Sequence, residues 1–157
     1  MSSVEYKIAS SEDREILVEM YLALLQHLDQ FDHDLLPSRV NAEVMVDTVF
    51  IPAAGKGEPV MIAWDQGRPV GAIFWVVQEP PILQMRYVFA IGHGTYLLEE
   101  YRNKKVGGAL RNLATQILKE KGAQRLLTMP HLKNEISLKA SARQGYIPHM
   151  RIDILDL

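Results

Sequence analysis

Residues 99–114 read EEYRNKKVGGALRNLA and concentrate side-chain and backbone types suited to holding an anion. The stretch has the pattern of a strand end, a short basic turn with adjacent glycines, and the first turns of an amphipathic helix. The first N–H groups of a helix have no partner within it, and the helix dipole adds partial positive charge at the same end. Gly107 and Gly108 let a ligand come close to that main chain, while Arg102, Lys104 and Lys105 add formal charge. A phosphate is the ligand this chemistry suits. The same residues also describe an ordinary strand-to-helix turn with solvated lysines, and taken alone they do not separate the two readings.

His93, inside Gly92-His93-Gly94, is a second chemical candidate, because imidazole titrates near neutrality and serves as a general base. The alternative is a histidine satisfied by backbone at a glycine-rich bend. Glu79, Glu99 and Glu100 are weaker bases, each also readable as a surface charge. Residues 27–34 interleave Asp29, Asp32 and Asp34 with His27 and His33. That run reads as a solvated loop, as an acidic lip attracting a cationic substrate, or as a metal site, although no recognised ligand spacing is present and no metal is expected.

These residues need a scaffold, and composition bounds it. The chain has 157 residues with 17 basic and 19 acidic side chains and a net charge of -2. A weakly acidic whole argues against non-specific nucleic-acid binding, which draws on a basic face. Cysteine is absent, which excludes disulfides, thiolate catalysis and cysteine–zinc sites and is compatible with a reducing compartment. The N-terminus lacks the basic-then-apolar pattern of a secretory signal, and no apolar run approaches the ~20 residues of a membrane span. The expectation is a cytoplasmic protein with one domain over residues 1–157.

Periodicity supplies the elements. Residues 4–9 alternate as a short strand, and Ser10 or Ser11 caps a helix with Ile16, Leu17, Met20, Tyr21, Leu24, Leu25 and Leu28 along one face. Ser38 caps a second helix over about 39–49 with Val40, Val44, Met45 and Thr48 inward, and a loop, IPAAGKGEP, follows. Residues 60–64 and 70–77 form a hairpin around Gly67, ended by Pro80-Pro81. Residues 82–98 give one or two strand segments, with a bulge or kink at the glycines around His93. A helix from Val106 then presents Leu110, Leu113, Ala114, Ile117 and Leu118 and stops at Gly122. A strand over 125–129, a helix capped by Asn134 and running to about Gln144, and one or two closing strands in 146–157 complete the chain.

Tyr101-Arg102-Asn103-Lys104-Lys105-Val106-Gly107-Gly108-Ala109-Leu110 resembles the acyl-CoA pyrophosphate loop of the GNAT N-acetyltransferase superfamily, written Gln/Arg-x-x-Gly-x-Gly/Ala. Downstream, Asn134 with Ser137, Arg143, Gly145 and Tyr146 is similar to that superfamily's second signature, at a typical separation from the first. The pair covers the C-terminal third closely, and the element order extends a looser similarity over the whole chain. Arg102 matches the first residue of the loop, Val106 its apolar residue and Gly107 its last. Two positions depart. Lys105 stands where the loop's first glycine falls, so it either disfavours a positive φ and crowds the pyrophosphate or binds it through its ammonium. Ser141 stands where many members carry a tyrosine that protonates the departing thiolate, which leaves Tyr146, Tyr101 and Tyr96 as unranked substitutes.

The resemblance implies an α/β (α+β) domain whose mixed, mostly antiparallel sheet splays between its fourth and fifth strands and is flanked by about four helices. It implies acetyl-CoA as co-substrate, bound by Thr95, Leu97, Arg102, Lys104, Lys105, Val106, Gly107, Gly108 and Asn134. A backbone N–H near Thr95 would polarise the thioester carbonyl. The two-residue strand period places His93, the implied general base, on the face of Thr95 and Leu97. Transfer would go directly to a primary amine of a small molecule or to a protein amino group, since neither a cysteine nor an evident activated serine offers a covalent route. No nucleic-acid or membrane partner is implied, and a homodimer is compatible. The alternative is a catalytically weakened acyl-CoA sensor or interaction module on the same fold, a reading that rests on Lys105 and Ser141.

Overall fold

The computed structural model describes residues 3–32, 35–78, 86–149, 153 and 155. Ser10 opens the helical part: Asp13 Oδ2 accepts from the Ser10 N–H at 2.8 Å and the Ser10 hydroxyl accepts from the Glu12 N–H, a capping box around the short 3-10 turn Ser11–Asp13. Helix α1 (Arg14–Asp29) follows, and its expected apolar face buries Leu17, Met20, Tyr21, Leu24 and Leu25 together with Val18.

The next helical run differs from expectation in length and in face. Ser38 caps α2 (Arg39–Met45) as foreseen, but a π-helical turn (Val46–Phe50) and α3 (Ile51–Gly55) continue it through the segment expected to be a loop. Pro52 stands directly after the π turn, at the start of α3, and does not stop the run. The buried residues are Ala42, Val46, Phe50, Ala53 and Ala54, whereas Val40 and Val44 are 66% and 53% exposed and Thr48 is also outside. Arg14 ties the π turn to α1 through both carboxylate oxygens of Asp47, each at 2.7 Å.

Among the described residues, five strands form one sheet in sequence order: β1 (Glu5–Ile8), β2 (Val60–Asp65), β3 (Arg68–Gln78), β4 (Phe89–Leu97) and β5 (Arg125–Thr128). All pairings are antiparallel except β4–β5. That junction is parallel because α4 (Val106–Glu120) crosses over between the two strands. The β2–β3 hairpin turns through Gln66 and Gly67 at φ 51° and 76°, the left-handed pair that matches strand twist. One face of the sheet packs Phe74, Ile62 and Val60 against α1 and the α2–α3 run; the other packs Ile73, Trp75 and Ala90 against Leu110, Ala114 and Leu118 of α4. Burying a side chain the size of Leu110 contributes about 1.5–3 kcal/mol.

Asn134 caps α5 (Glu135–Arg143), its Oδ1 accepting from the Ser137 N–H at 3.1 Å. The expected closing strand is not formed at residues 146–149; of the remainder, only Asp153 and Leu155 are described, neither in a strand. His33, Asp34, Glu79, Pro80, Pro81 and the expected strand segment at 82–85 lie outside the described residues.

Candidate active site

The site is built on β4. Its pairing with β5 begins at Phe89–Arg125 and stops at Gly92–Thr128, while its pairing with β3 continues to Leu97–Gly71. Among the described residues, therefore, β4 has a strand partner along one edge only from His93 to Leu97. This is the splay that the fourth and fifth strands were expected to show, and the open edge leads directly into the turn before α4.

A bulge interrupts β4 at the same place. Trp75 pairs with Gly92 and Ile73 with Thr95, so Phe74 alone stands opposite both His93 and Gly94. The extra residue corrects the expected facing of His93. Its ring lies on the α1 side, 5.4 Å edge-on to Phe50, whereas Leu97 packs on the α4 side and Thr95 pairs with Ile73 of that same side. Phe50 is itself held by Tyr21 at 4.8 Å and Phe74 at 4.9 Å between ring centroids. The π turn is what rotates Phe50 into that cluster. Half-buried there, His93 has its pKa pushed below 6.5 by loss of solvation, so the imidazole is neutral and able to take a proton at pH 7.

The turn into α4 is a backbone cradle. Asn103 and Lys105 both have left-handed backbones, φ 60° and 66°, and such alternations point successive N–H groups into a concavity. Lys105 thus adopts the very conformation that the missing glycine would supply. No side chain caps α4, and the first backbone bond across its start runs from the Ala109 N–H to the Lys105 carbonyl. A Cβ added at Gly108 would meet nothing within 4 Å, so that glycine faces open space. An open groove of about 530 Å³ lies over this helix start, lined by Leu97, Asn103, Lys105, Gly107, Gly108, Ala109, Arg111 and Asn112. Its lining carries two cations and no acid, which fits a phosphorylated ligand.

A bulky residue in a left-handed backbone costs on the order of 1–2 kcal/mol, part of which a glycine would return as greater freedom of the unfolded chain. Lys105→Gly is therefore expected to raise the melting temperature by about 2 °C. A fall in a thermal melt would show that the lysine side chain stabilises the turn by more than its backbone strains it.

Leu97, Lys105, Gly107 and Gly108 of the expected ligand set come together in the groove. Others lie outside its lining. Val106 is buried beneath the helix start, Arg102 Nε–H donates to the Leu97 carbonyl at 3.2 Å, and the Lys104 ammonium lies 5.6 Å from the centre of the Tyr101 ring. Asn134 is 7% exposed, and its carbonyl oxygen is engaged in capping α5. Of the three tyrosines, Tyr101 donates its hydroxyl to Asp65 at 2.7 Å, which raises its pKa, and Tyr96 packs toward α1. Tyr146 follows α5 and senses the charge of Arg111. Sequence reasoning passed over Asn103, Ala109, Arg111 and Asn112. For Arg111 the signal was available: it stands one helical turn after Gly107, and helical side chains lean toward the N-terminus.

Among the described residues no group of three or more histidines or carboxylates converges as a metal site. No helix among them is long and apolar enough to cross a membrane. His27 and Asp29 belong to the last turn of α1, with the Gln30 amide donating to the His27 carbonyl at 2.7 Å.

A mixed sheet whose antiparallel part meets one parallel strand at β4 thus leads into a helix start without a side-chain cap. The chain belongs to the acetyltransferase (GNAT) family, whose family model matches residues 22–146. Among solved structures it is similar to a ribosomal-protein-alanine N-acetyltransferase from Brucella melitensis biovar Abortus, with a TM-score of 0.71 and 13% identity over 99% of both chains. It is likewise similar to a GCN5-related N-acetyltransferase from Ralstonia eutropha, with a TM-score of 0.70 and 19% identity over 98% of this chain and 99% of that one. The aminoglycoside N-acetyltransferase AAC(6')-Iy in complex with CoA aligns at a TM-score of 0.66 and 14% identity, over 100% of this chain and 96% of the other. At such identities the likeness is one of fold. No curated protein matches the sequence.

Proposed function

We propose that the protein transfers the acetyl group of acetyl-CoA directly to a primary amine of a small molecule. The observation that carries this reading is the unpaired edge of β4 after Gly92 running into the uncapped start of α4 above the groove. Acetyl-CoA supplies the acetyl group as a thioester, an electrophile toward a neutral amine. The N–H groups of Val106, Gly107 and Gly108, with the Asn103–Lys105 turn, hold the pyrophosphate. The open edge of β4 at Thr95 and Leu97 binds the pantetheine arm and orients it, and such positioning supplies much of the rate. His93 accepts a proton of the amine at a ring nitrogen, from the α1 side of the sheet; the amine nitrogen bonds to the thioester carbonyl carbon, the C–S bond breaks, and CoA leaves as a thiolate that takes up a proton to become the thiol.

Known relatives of this fold bear the names of both acceptor classes, aminoglycosides and ribosomal protein alanine. Calorimetry with CoA tests the first half of the proposal, and thiol release from acetyl-CoA across a panel of polyamines, aminoglycosides and aryl amines tests the second. No heat at millimolar CoA sinks the whole reading. Binding without thiol release would instead make the protein an acyl-CoA sensor.

A further inference from the structure

Arg111 is the cation in the groove that the loop motif does not account for. It stands on α4 beyond the turn, and its guanidinium folds back over the helix start. Its Nη1 lies 3.6 Å and its Nη2 3.9 Å from the position a Cβ on Gly107 would take. The ion pairs among the described residues engage Lys7, Arg14, Arg39, Arg68 and Lys139, not Arg111. Burial raises the phenol pKa of Tyr146, and the charge of Arg111 acts on it in the opposite direction. The guanidinium therefore lies beside the helix start over which the groove opens. It is half-buried, so part of its charge is shielded from water and ions.

We infer that Arg111 is a specificity-determining residue that clamps the pyrophosphate of the cofactor, donating two parallel N–H bonds from the face opposite the backbone cradle. This rests on the proposed function and deepens it. A backbone cradle alone attracts any anion of suitable size. A planar guanidinium adds a bidentate match to adjacent phosphate oxygens, which lysine, as a point charge, cannot supply. With Lys105 it leaves the groove with two positive charges against the two of a pyrophosphate.

The experiment is calorimetry on the full chain, wild type and Arg111→Gln, with three probes: CoA, 3'-dephospho-CoA and phosphate-free pantetheine. Loss of a bidentate charged hydrogen bond is expected to weaken CoA and 3'-dephospho-CoA equally, on the order of tenfold to a hundredfold, and to leave pantetheine unchanged. Arg111→Lys should recover only part of the loss. Both variants should melt within about 2 °C of wild type, as partly exposed substitutions do. A loss confined to CoA would assign Arg111 to the 3'-phosphate and overturn the clamp, and an equal loss for pantetheine would reduce the residue to a structural one. Wild-type binding that Arg111→Gln leaves unchanged removes this inference alone, whereas a wild type that does not bind CoA removes the proposed function with it.

Discussion

His93→Ala is expected to lower kcat/KM for the amine by about a hundred- to ten-thousandfold at neutral pH, the range associated with a positioned general base. The structural ground is the β4 bulge, which turns the imidazole toward α1 and sets it edge-on to Phe50 at 5.4 Å. An amine is protonated in water, so it needs an acceptor that is itself neutral. Burial provides one by holding the His93 pKa below 6.5. The wild-type rate should therefore be flat near pH 7 and fall as pH drops through that lowered pKa, and this acid limb should vanish in His93→Ala. The same shift predicts a stability effect of definite sign. The unfolded chain takes up the proton near pH 6.5 and the folded chain only at lower pH. Stability from the neutral ring is complete above pH 6.5 and is lost as pH falls through the folded value. His93→Gln should flatten that slope in urea midpoints taken between pH 5 and 7. Unchanged rate and pH profile in His93→Ala would remove the residue as the base.

How much of this was readable beforehand follows from which features obey a fixed period. The hairpin and α4 do: two β-rich arms around Gln66-Gly67, and an apolar stripe from Val106 to Leu118, have one arrangement that buries them. The face of His93 did not, because a bulge adds one residue to one strand and flips every later parity. The glycines around His93 announced a bulge but not which residue of the partner strand would face two, and Phe74 carries no mark of it. The α2–α3 run was ambiguous for a related reason. It bears two apolar stripes, Leu36-Val40-Val44 and Ala42-Val46-Phe50, each spaced by four. The second is buried because the π turn shifts Phe50 into the aromatic cluster with Tyr21 and Phe74, and helical spacing in sequence does not encode a π turn. In the loop, the sequence raised the matter of Lys105 and only backbone geometry resolved it: the left-handed turn is kept with lysine in it.

Gly94→Ala should be strongly damaging, lowering unfolding free energy by about 2–4 kcal/mol out of a total of about 5–15. Gly94 has a φ of 133°, outside the wells open to a residue with a side chain, and an added Cβ would lie 2.6 Å from Leu24 Cδ2. Leu24 is itself 5% exposed in the α1 core, so it has little room to move aside. The chain has two ways to relieve that conflict. It can push α1 away from the sheet, at the expense of the packing around Tyr21, or it can rotate the bulge toward regular pairing. The second route would carry His93 off the α1 side and toward the face of Thr95. The substitution should therefore depress activity by more than its stability loss explains, with kcat falling even at temperatures where the variant is fully folded. Urea midpoints give the first quantity and steady-state rates at low temperature the second. An unaltered midpoint would show that the bulge tolerates a side chain. A lower midpoint with native kcat would show that α1 moves while His93 stays, separating the glycine's structural service to the core from its service to the base.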